Sequence, residues 1–374
     1  MTAPTLRRPT DLREVRDAVL DSAGPLGITG AGTAVGWAGS LGSVAAVLDT
    51  SGLTGVIAHN PGDMTVSAHA GTPLRDLDAE LAEHGQHVAF DPARIVDGAT
   101  VGGLIATADA GPCALVHGSL RDLVIGATLV LADGTVARTG GHVIKNVAGY
   151  DLAKLVHGSY GALAVIAEVV LRLHPLPHAT ATLALPGSLD EAAEHAARVL
   201  AGATEPAALE WVSDPGALLV RLEGTRAALP ARVERLAALL GPAAAVTESD
   251  PWDDHARLTR GTIDDTVLRI GVRPSRLPGV LSALPTRTIT AGLGTGVATV
   301  TLPADPAAVR AAHETVHAAG GTSVLRDRPV GLDAPAWGPP PSALAVLRSV
   351  KQAFDPTGRL GPGRFAPWLE RNPS

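Results

Sequence analysis

The apolar positions change period along the chain, and each change marks an element. Leu12, Val15 and Val19 recur at helical spacing behind Thr10, a cap residue, and Gly24 stops the run. A short apolar strand at Leu26–Thr29 leads into the glycine-rich stretch GAGTAVG at 30–36. Residues 44–48 and 56–58 read as further strands, and Met64, Val66, Ala68 and Ala70 alternate as a half-buried strand does. Thr72-Pro73 opens a helix with Leu74, Leu77 and Leu81 on one face and Gly85 at its end. Residues 123–131, the turn Asp133-Gly134 and residues 135–138 read as a hairpin. A helix is expected over 146–157 and a long buried strand over 162–173, stopped by His174-Pro-Leu-Pro177.

Beyond that proline cluster the pattern changes. Ser188 and Glu191 form a capping box before an alanine-rich helix reaching about Ala203. Strands at 209–212 and 217–222, a helix from Thr225 to Gly241, strands at 267–272 and 297–302, and helices at 275–284 and 306–319 follow. Such alternation suggests an α+β domain, and no clear repeat is visible. From Ser342 a last helix carries Leu344, Leu347 and Val350, then breaks at FDPTGRLGPGRF. Three segments are therefore expected: 1–177, 178–335 and 336–374.

Composition narrows the function. A chain of 374 residues that is 46% hydrophobic and 18% charged can bury a large core. A net charge of −7 argues against nucleic acid as a partner. Cys113 is the only cysteine, so neither an intrachain disulfide nor an iron–sulfur cluster held by this chain alone is expected. The first fifteen residues lack the apolar core of a signal peptide, and no apolar run approaches a membrane span. A cytoplasmic protein is expected, with any place at the inner face of a membrane supplied by partners. The chain has two tyrosines, Tyr150 and Tyr160, and three lysines, Lys145, Lys154 and Lys351. Both tyrosines and two of the lysines fall within 145–160, KNVAGYDLAKLVHGSY, which marks that window as chemically constrained.

Three stretches could carry chemistry. GAGTAVG follows a strand, as dinucleotide loops do, but its spacing is GxGxxxG and Trp37 to Gly42 cannot make a good helix. It reads as a plain turn or as a nest of amides around a diphosphate. GATVGGLIATADAG at 98–111 is either a flexible loop or bare backbone against a flat ligand, and its Val101, Leu104 and Ile105 argue for burial. HETVH at 313–317 matches a zinc-protease pattern. The third histidine of a metzincin is replaced by Ser323, and no methionine follows. An amphipathic helix with Val309, Ala312 and Val316 inward is the better reading, and no metal site is expected.

Taken together, the motifs resemble flavoproteins of the vanillyl-alcohol oxidase type, whose FAD-binding domain is the PCMH domain. Thr29, Gly30, Ala31, Gly32 and Thr33 match the family's pyrophosphate loop. Thr100, Val101, Gly102 and Gly103, with Ala106, match a TIGG-like segment beside the flavin. Arg121, Asp122, Val124 and Gly126 match an RDxVxG strand. Lys145, Asn146, Gly149, Tyr150, Asp151, Lys154, Leu155, Gly158, Ser159, Gly161, Leu163, Ile166 and Glu168 match the long motif after it. The tail FDPTGRLGPGR matches an FDPxGxxNPG ending, with Gly361 at the usual asparagine.

The resemblance implies an α+β fold: a two-subdomain FAD domain, a smaller cap, and a C-terminal segment that returns to the FAD domain. It implies noncovalent FAD, since no histidine lies in 28–42. The candidate cofactor residues are Thr29, Gly30, Ala31, Gly32, Thr33, Gly98, Ala99, Thr100, Gly102, Gly103, Ala106, Gly118, Gly158, Gly161 and Ile166. Within the family the likeness is nearest to FAD-binding small subunits of bacterial glycolate oxidase. That implies oxidation of a small 2-hydroxy acid, with a larger flavoprotein subunit and an iron–sulfur subunit as partners. A noncatalytic subunit and a self-sufficient alcohol or sugar oxidase are the alternatives. The catalytic base is unassigned, with His142 and Tyr150 as candidates. The histidine-rich cap motif of the family's large subunits is absent, and GLGTG at 292–296 stands near its expected place.

Overall fold

The computed structural model describes residues 3–142 and 151–369. Lys145, Asn146, Gly149 and Tyr150 lie outside the described residues, as does the start of the helix expected at 146–157; its described part is Leu152–Val156. The first helix, Leu12–Asp21, is capped one residue later than its sequence suggests. The Asp11 carboxylate accepts from the Glu14 amide, while Thr10 donates its N–H and hydroxyl to the Glu14 side chain. Both ends of the exchange satisfy donors that a helix N-terminus leaves open.

Two small sheets build the FAD-type domain. Thr5–Arg7, Ala46–Asp49 and Leu26–Thr29 form a parallel sheet with Ala46–Asp49 in the middle. Val56–Asn60, Thr65–His69, Val165–Arg172, Val124–Val130 and Val136–Gly140 form an antiparallel sheet in that order. The long strand Val165–Arg172 sits at its centre and serves two cores. Val165 and Ala167 pack with Val15, Leu26 and Leu48; Ile166, Val169 and Leu171 pack with Leu74, Leu77 and Leu104.

The cap is one eight-stranded sheet whose neighbouring strands pair antiparallel. Its order reveals a repeat that the sequence hides. Ala179–Pro186, Ala208–Val212, Ala217–Gly224 and Ala245–Val246 form one half, with helices Leu189–Ala201 and Leu229–Leu240. Thr266–Gly271, Thr288–Gly292, Val297–Leu302 and Thr322–Leu325 form the other, with helices Leu277–Ser282 and Pro306–Ala318. Each half runs strand, helix, strand, strand, helix, strand. The halves meet where Glu210, Trp211 and Val212 pair with Gly292, Ala291 and Thr290. Five strands or helices of this region escape periodicity: Ala179–Pro186, Ala245–Val246, Trp252–Arg260, Thr288–Gly292 and Thr322–Leu325. The strands are short or rich in threonine and alanine, and the helix WDDHARLTR is mostly charged, so their apolar faces are thin. His313 of the HETVH helix is buried and bonds the Ser323 hydroxyl and the Pro335 carbonyl, so it is spent on packing.

The C-terminal segment runs back along the FAD-type domain. Leu26 donates its amide to the Arg359 carbonyl, and Gly361 donates to Leu26. Gly361 has φ +54°, a left-handed conformation that glycine and asparagine tolerate best. That explains why either residue suits the motif. Arg359 donates to the carbonyls of Val19, Ser22 and Ala132. Lys351 Nζ bonds the carbonyls of Ala162 and Leu360 and the fully buried Asp355 carboxylate at 2.6 Å. Removing one member of such a pair leaves the other charge buried and alone. Lys351→Met is therefore expected to cost about 3–5 kcal/mol of stability, measured by urea unfolding monitored by circular dichroism.

Candidate cofactor cleft and interdomain cavity

The strand Leu26–Thr29 delivers the loop 30–42, which contains no helix. The glycine stretch therefore presents amides without a helix dipole behind them. Among the described residues, no backbone hydrogen bond of a turn or cap uses the amides of Ala31 to Ala34. The loop is held from outside instead. Arg364 donates to the carbonyls of Val35, Trp37 and Gly39, and Arg328 donates to those of Gly36 and Ala38. Opposite lies Val101–Thr107, a short helix where the sequence reads as a loop. The Thr100 hydroxyl caps it by accepting from Gly103, and Gly102 lets it press against Ala70. The dense glycines thus serve close packing of a helix rather than bare extended backbone.

Between loop and helix runs a narrow cleft of about 90 Å³. Thr29, Gly30, Ala31, Gly32, Thr33, Thr100, Gly102, Gly103, Ala106, Gly161 and Ile166 of the candidate set line it. Gly158 lines the neighbouring larger cavity instead. Gly98, Ala99 and Gly118 line neither: Gly98 and Gly118 close short helical turns, and Ala99 is buried in the core. His142 also lies away from both cavities, with its Nδ1 beside the Thr65 hydroxyl and the Asn60 amide.

The larger cavity, about 660 Å³, lies between the FAD-type domain and the inner face of the cap sheet. Thr107 and Tyr160 stand on the walls of both spaces. Tyr160 has φ +50°, an uncommon conformation for a bulky residue, and its amide bonds the Ala106 carbonyl. Its ring meets Trp337 and Phe365 edge-on. Burial pushes its phenol up to about 12, so it stays neutral.

The cavity wall carries buried charge. Asp109 lies 2.8 Å from the Arg326 guanidinium and 3.9 Å from that of Arg269, so two cations share one carboxylate. Arg326 stacks over Trp37 at 3.8 Å, and its Nε is buried without a hydrogen-bond partner. Burial and then the neighbouring Arg326 pull Arg269 down to about 10, which leaves it cationic at neutral pH. Further along, Glu210 Oε2 is 3.3 Å from His255 Nε2. Arg221 bonds Asp91 at 2.7 Å and the Cys113 sulfur at 2.5 Å. Burial and Asp91 push the Cys113 thiol up, so it is inert.

Sequence reasoning missed Arg94, Trp37, Asp109, Tyr160 and Arg364 in the cleft and every charged group of the cap. Tyr160 and Arg364 stand inside matched motifs and were within reach. The cap residues come from separate strands and emerge only from sheet register.

These features fit the diphosphate end of FAD: unbonded amides, an open edge at Gly32 where a Cβ would meet no atom within 4 Å, and Arg94 at the wall. Residues 4–140 match the FAD binding domain, and residues 337–365 match the C-terminal domain of FAD linked oxidases. Over these segments the chain is similar to FAD-linked oxidases, and FAD is the cofactor that the matches support. It is 35% identical over 199 residues to glycolate oxidase subunit GlcE of Escherichia coli (strain K12), covering 50% of this chain and 53% of that protein. It is 35% identical to glycolate oxidase subunit GlcD of Bacillus subtilis (strain 168), over 42% of this chain and 34% of that protein. D-lactate dehydrogenase of Archaeoglobus fulgidus is 40% identical over 38% of this chain and 32% of its own length. The matches thus span about half or less of these relatives. Among solved structures, alkyldihydroxyacetonephosphate synthase aligns with a TM-score of 0.70 at 15% identity, over 96% of this chain and 75% of that one. That likeness concerns the fold.

A Cβ on Gly30 would collide with the Thr100 hydroxyl oxygen and narrow the cleft at its mouth. Gly30→Ala is expected to weaken FAD binding at least tenfold while leaving the far-ultraviolet circular dichroism unchanged; equilibrium titration with FAD checks it.

Proposed function

We propose that this chain is the FAD-binding subunit of a 2-hydroxy-acid dehydrogenase of the glycolate oxidase kind, and that its acid substrate occupies the interdomain cavity. The observation that carries the reading is the surplus positive charge on the cavity wall. Arg269 and Arg326 share the single carboxylate of Asp109, and one guanidinium nitrogen is left buried and unpartnered. An uncompensated buried cation is costly unless an anion completes it. A substrate carboxylate would do so.

When bound, FAD supplies the acceptor for a hydride from the substrate α-carbon. The loop Thr29, Gly30, Ala31, Gly32 and Thr33 would hold the diphosphate noncovalently, and the Thr100–Ala106 helix with Gly161 and Ile166 would flank the rest. The names of the relatives, glycolate oxidase subunits and D-lactate dehydrogenase, favour a small 2-hydroxy acid. With one cysteine, this chain would pass electrons to partners: a larger flavoprotein subunit and an iron–sulfur subunit. Among the described residues no helix is long and apolar enough to cross a membrane. A cytoplasmic place, with partners providing any membrane contact, accords with that.

One observation favours a second reading, a noncatalytic subunit. Where the family's large subunits carry a histidine-rich segment, residues 292–296 form a plain hairpin turn. Anaerobic addition of glycolate or D-lactate to the purified holoprotein separates the two. Bleaching of the flavin absorbance supports the dehydrogenase; no bleaching by either acid leaves the noncatalytic reading. If bleaching occurs, Arg269→Met should raise KM for the acid about 10- to 100-fold, the worth of a charge-assisted hydrogen bond, with FAD content unchanged.

A further inference from the structure

We infer that His255, oriented by Glu210, is the catalytic base that takes the substrate hydroxyl proton; this rests on the dehydrogenase reading above. Both residues line the interdomain cavity, and both are buried in its wall. Glu210 comes from the strand at the centre of the cap, His255 from the helix Trp252–Arg260. The Glu210 carboxylate faces His255 Nε2 at 3.3 Å, while Nδ1 makes no hydrogen bond among the described residues. With Nε2–H donating to the carboxylate, Nδ1 carries a free lone pair. That is the tautomer a base requires.

Three neighbours support the assignment. Gly292, paired directly with Glu210 across the sheet, has no side chain, and a Cβ there would meet Glu210 Oε1 at 2.8 Å. The residue opposite is thus the one that leaves the carboxylate its place. The Trp252 ring lies 5.6 Å from the imidazole and fixes its tilt, and Arg221 in turn covers that indole. Glu210 is also near enough to Arg269 to act on its charge, so the histidine pair continues the row of charges that would hold the substrate carboxylate.

The step balances. The hydroxyl proton goes to Nδ1, the α-hydrogen leaves as hydride to the bound FAD, and the 2-hydroxy acid becomes a 2-oxo acid. The acid loses two electrons and the FAD gains them.

The charged groups around His255 are Glu210, Asp253 on its own helix, Arg221 beyond Trp252, and Arg269 beyond Glu210; the neighbouring strand contributes the neutral Thr290. Glu210→Gln keeps the shape of the side chain but removes the carboxylate that orients Nε2–H, so it should lower the rate of flavin reduction while leaving oxalate binding in place.

The experiment is stopped-flow reduction of the holoprotein by glycolate and D-lactate from pH 5 to 9, with wild type, His255→Asn and Glu210→Gln. FAD content and oxalate binding by calorimetry are measured on the same samples. The expected result is a fall of at least 100-fold for His255→Asn, with oxalate affinity within threefold of wild type. Unchanged reduction by His255→Asn overturns the base assignment and leaves the dehydrogenase reading standing. If His255→Asn does not fold, Glu210→Gln decides: a fall of at least tenfold in reduction rate at unchanged oxalate affinity and FAD content supports the assignment, and an unchanged rate overturns it. Failure of wild type itself to be reduced overturns the dehydrogenase reading and this inference with it.

Discussion

Arg364 holds the glycine-rich loop in place, and the rest of the site depends on it. One guanidinium nitrogen serves the carbonyls of Val35, Trp37 and Gly39, more than three hundred residues earlier in the chain. A loop so rich in glycine has high backbone entropy in the unfolded chain and little intrinsic reason to adopt one shape. The arginine supplies that reason from outside. Its burial lowers its own pKa, yet the site keeps it because the carbonyls it satisfies are otherwise without partners. The cleft is therefore assembled only when the last segment of the chain has returned to the first.

The cap fixes the same loop from the other side. Arg94 and Arg326 both lie over the Trp37 ring, and its indole N–H donates to Asp327. The Ala38 amide bonds the Leu325 carbonyl, and Arg328 reaches the carbonyls of Gly36 and Ala38. Three segments remote in sequence thus converge on residues 35–39. The carbonyls of residues 35–39 are all engaged from outside, which pins the loop while the amides of residues 31–34 make no backbone bond of a turn or cap. The shape of the cleft and the docking of the cap follow from one set of contacts, so disturbing either is felt by the other.

Much of the FAD-type half was legible in the sequence because its signals are local. Thr72-Pro73 announces a helix start, the run 162–173 announces a buried strand, and the motifs fall in order along the chain. What local signals could not convey was distance. Arg326 and Asp109 meet across more than two hundred residues, and no periodicity announces a pair of that kind. The helix at Val101–Thr107 was hidden because its glycines, poor helix formers, are there for contact with Ala70. Gly98, Ala99 and Gly118 matched or adjoined motifs yet close turns or fill the core. A glycine serves a turn as readily as a ligand, and only the cavity walls tell the two apart.

The cap's hidden repeat gives the clearest case of structure outlasting sequence. Val212 and Ala217 close one central hairpin, and Gly292 and Val297 close the other. Counting from those closures, Glu210 corresponds to Thr290 and Arg221 to Thr301. The equivalent positions thus carry charge in one half and neutral hydroxyls in the other. The sheet tolerates this because its helix-covered face alone must remain apolar, while the cavity face has only to be satisfied by partners. The differences on that face hide the repeat in the sequence and leave the face asymmetric, with Glu210 and Arg221 in one half and Thr290 and Thr301 in the other.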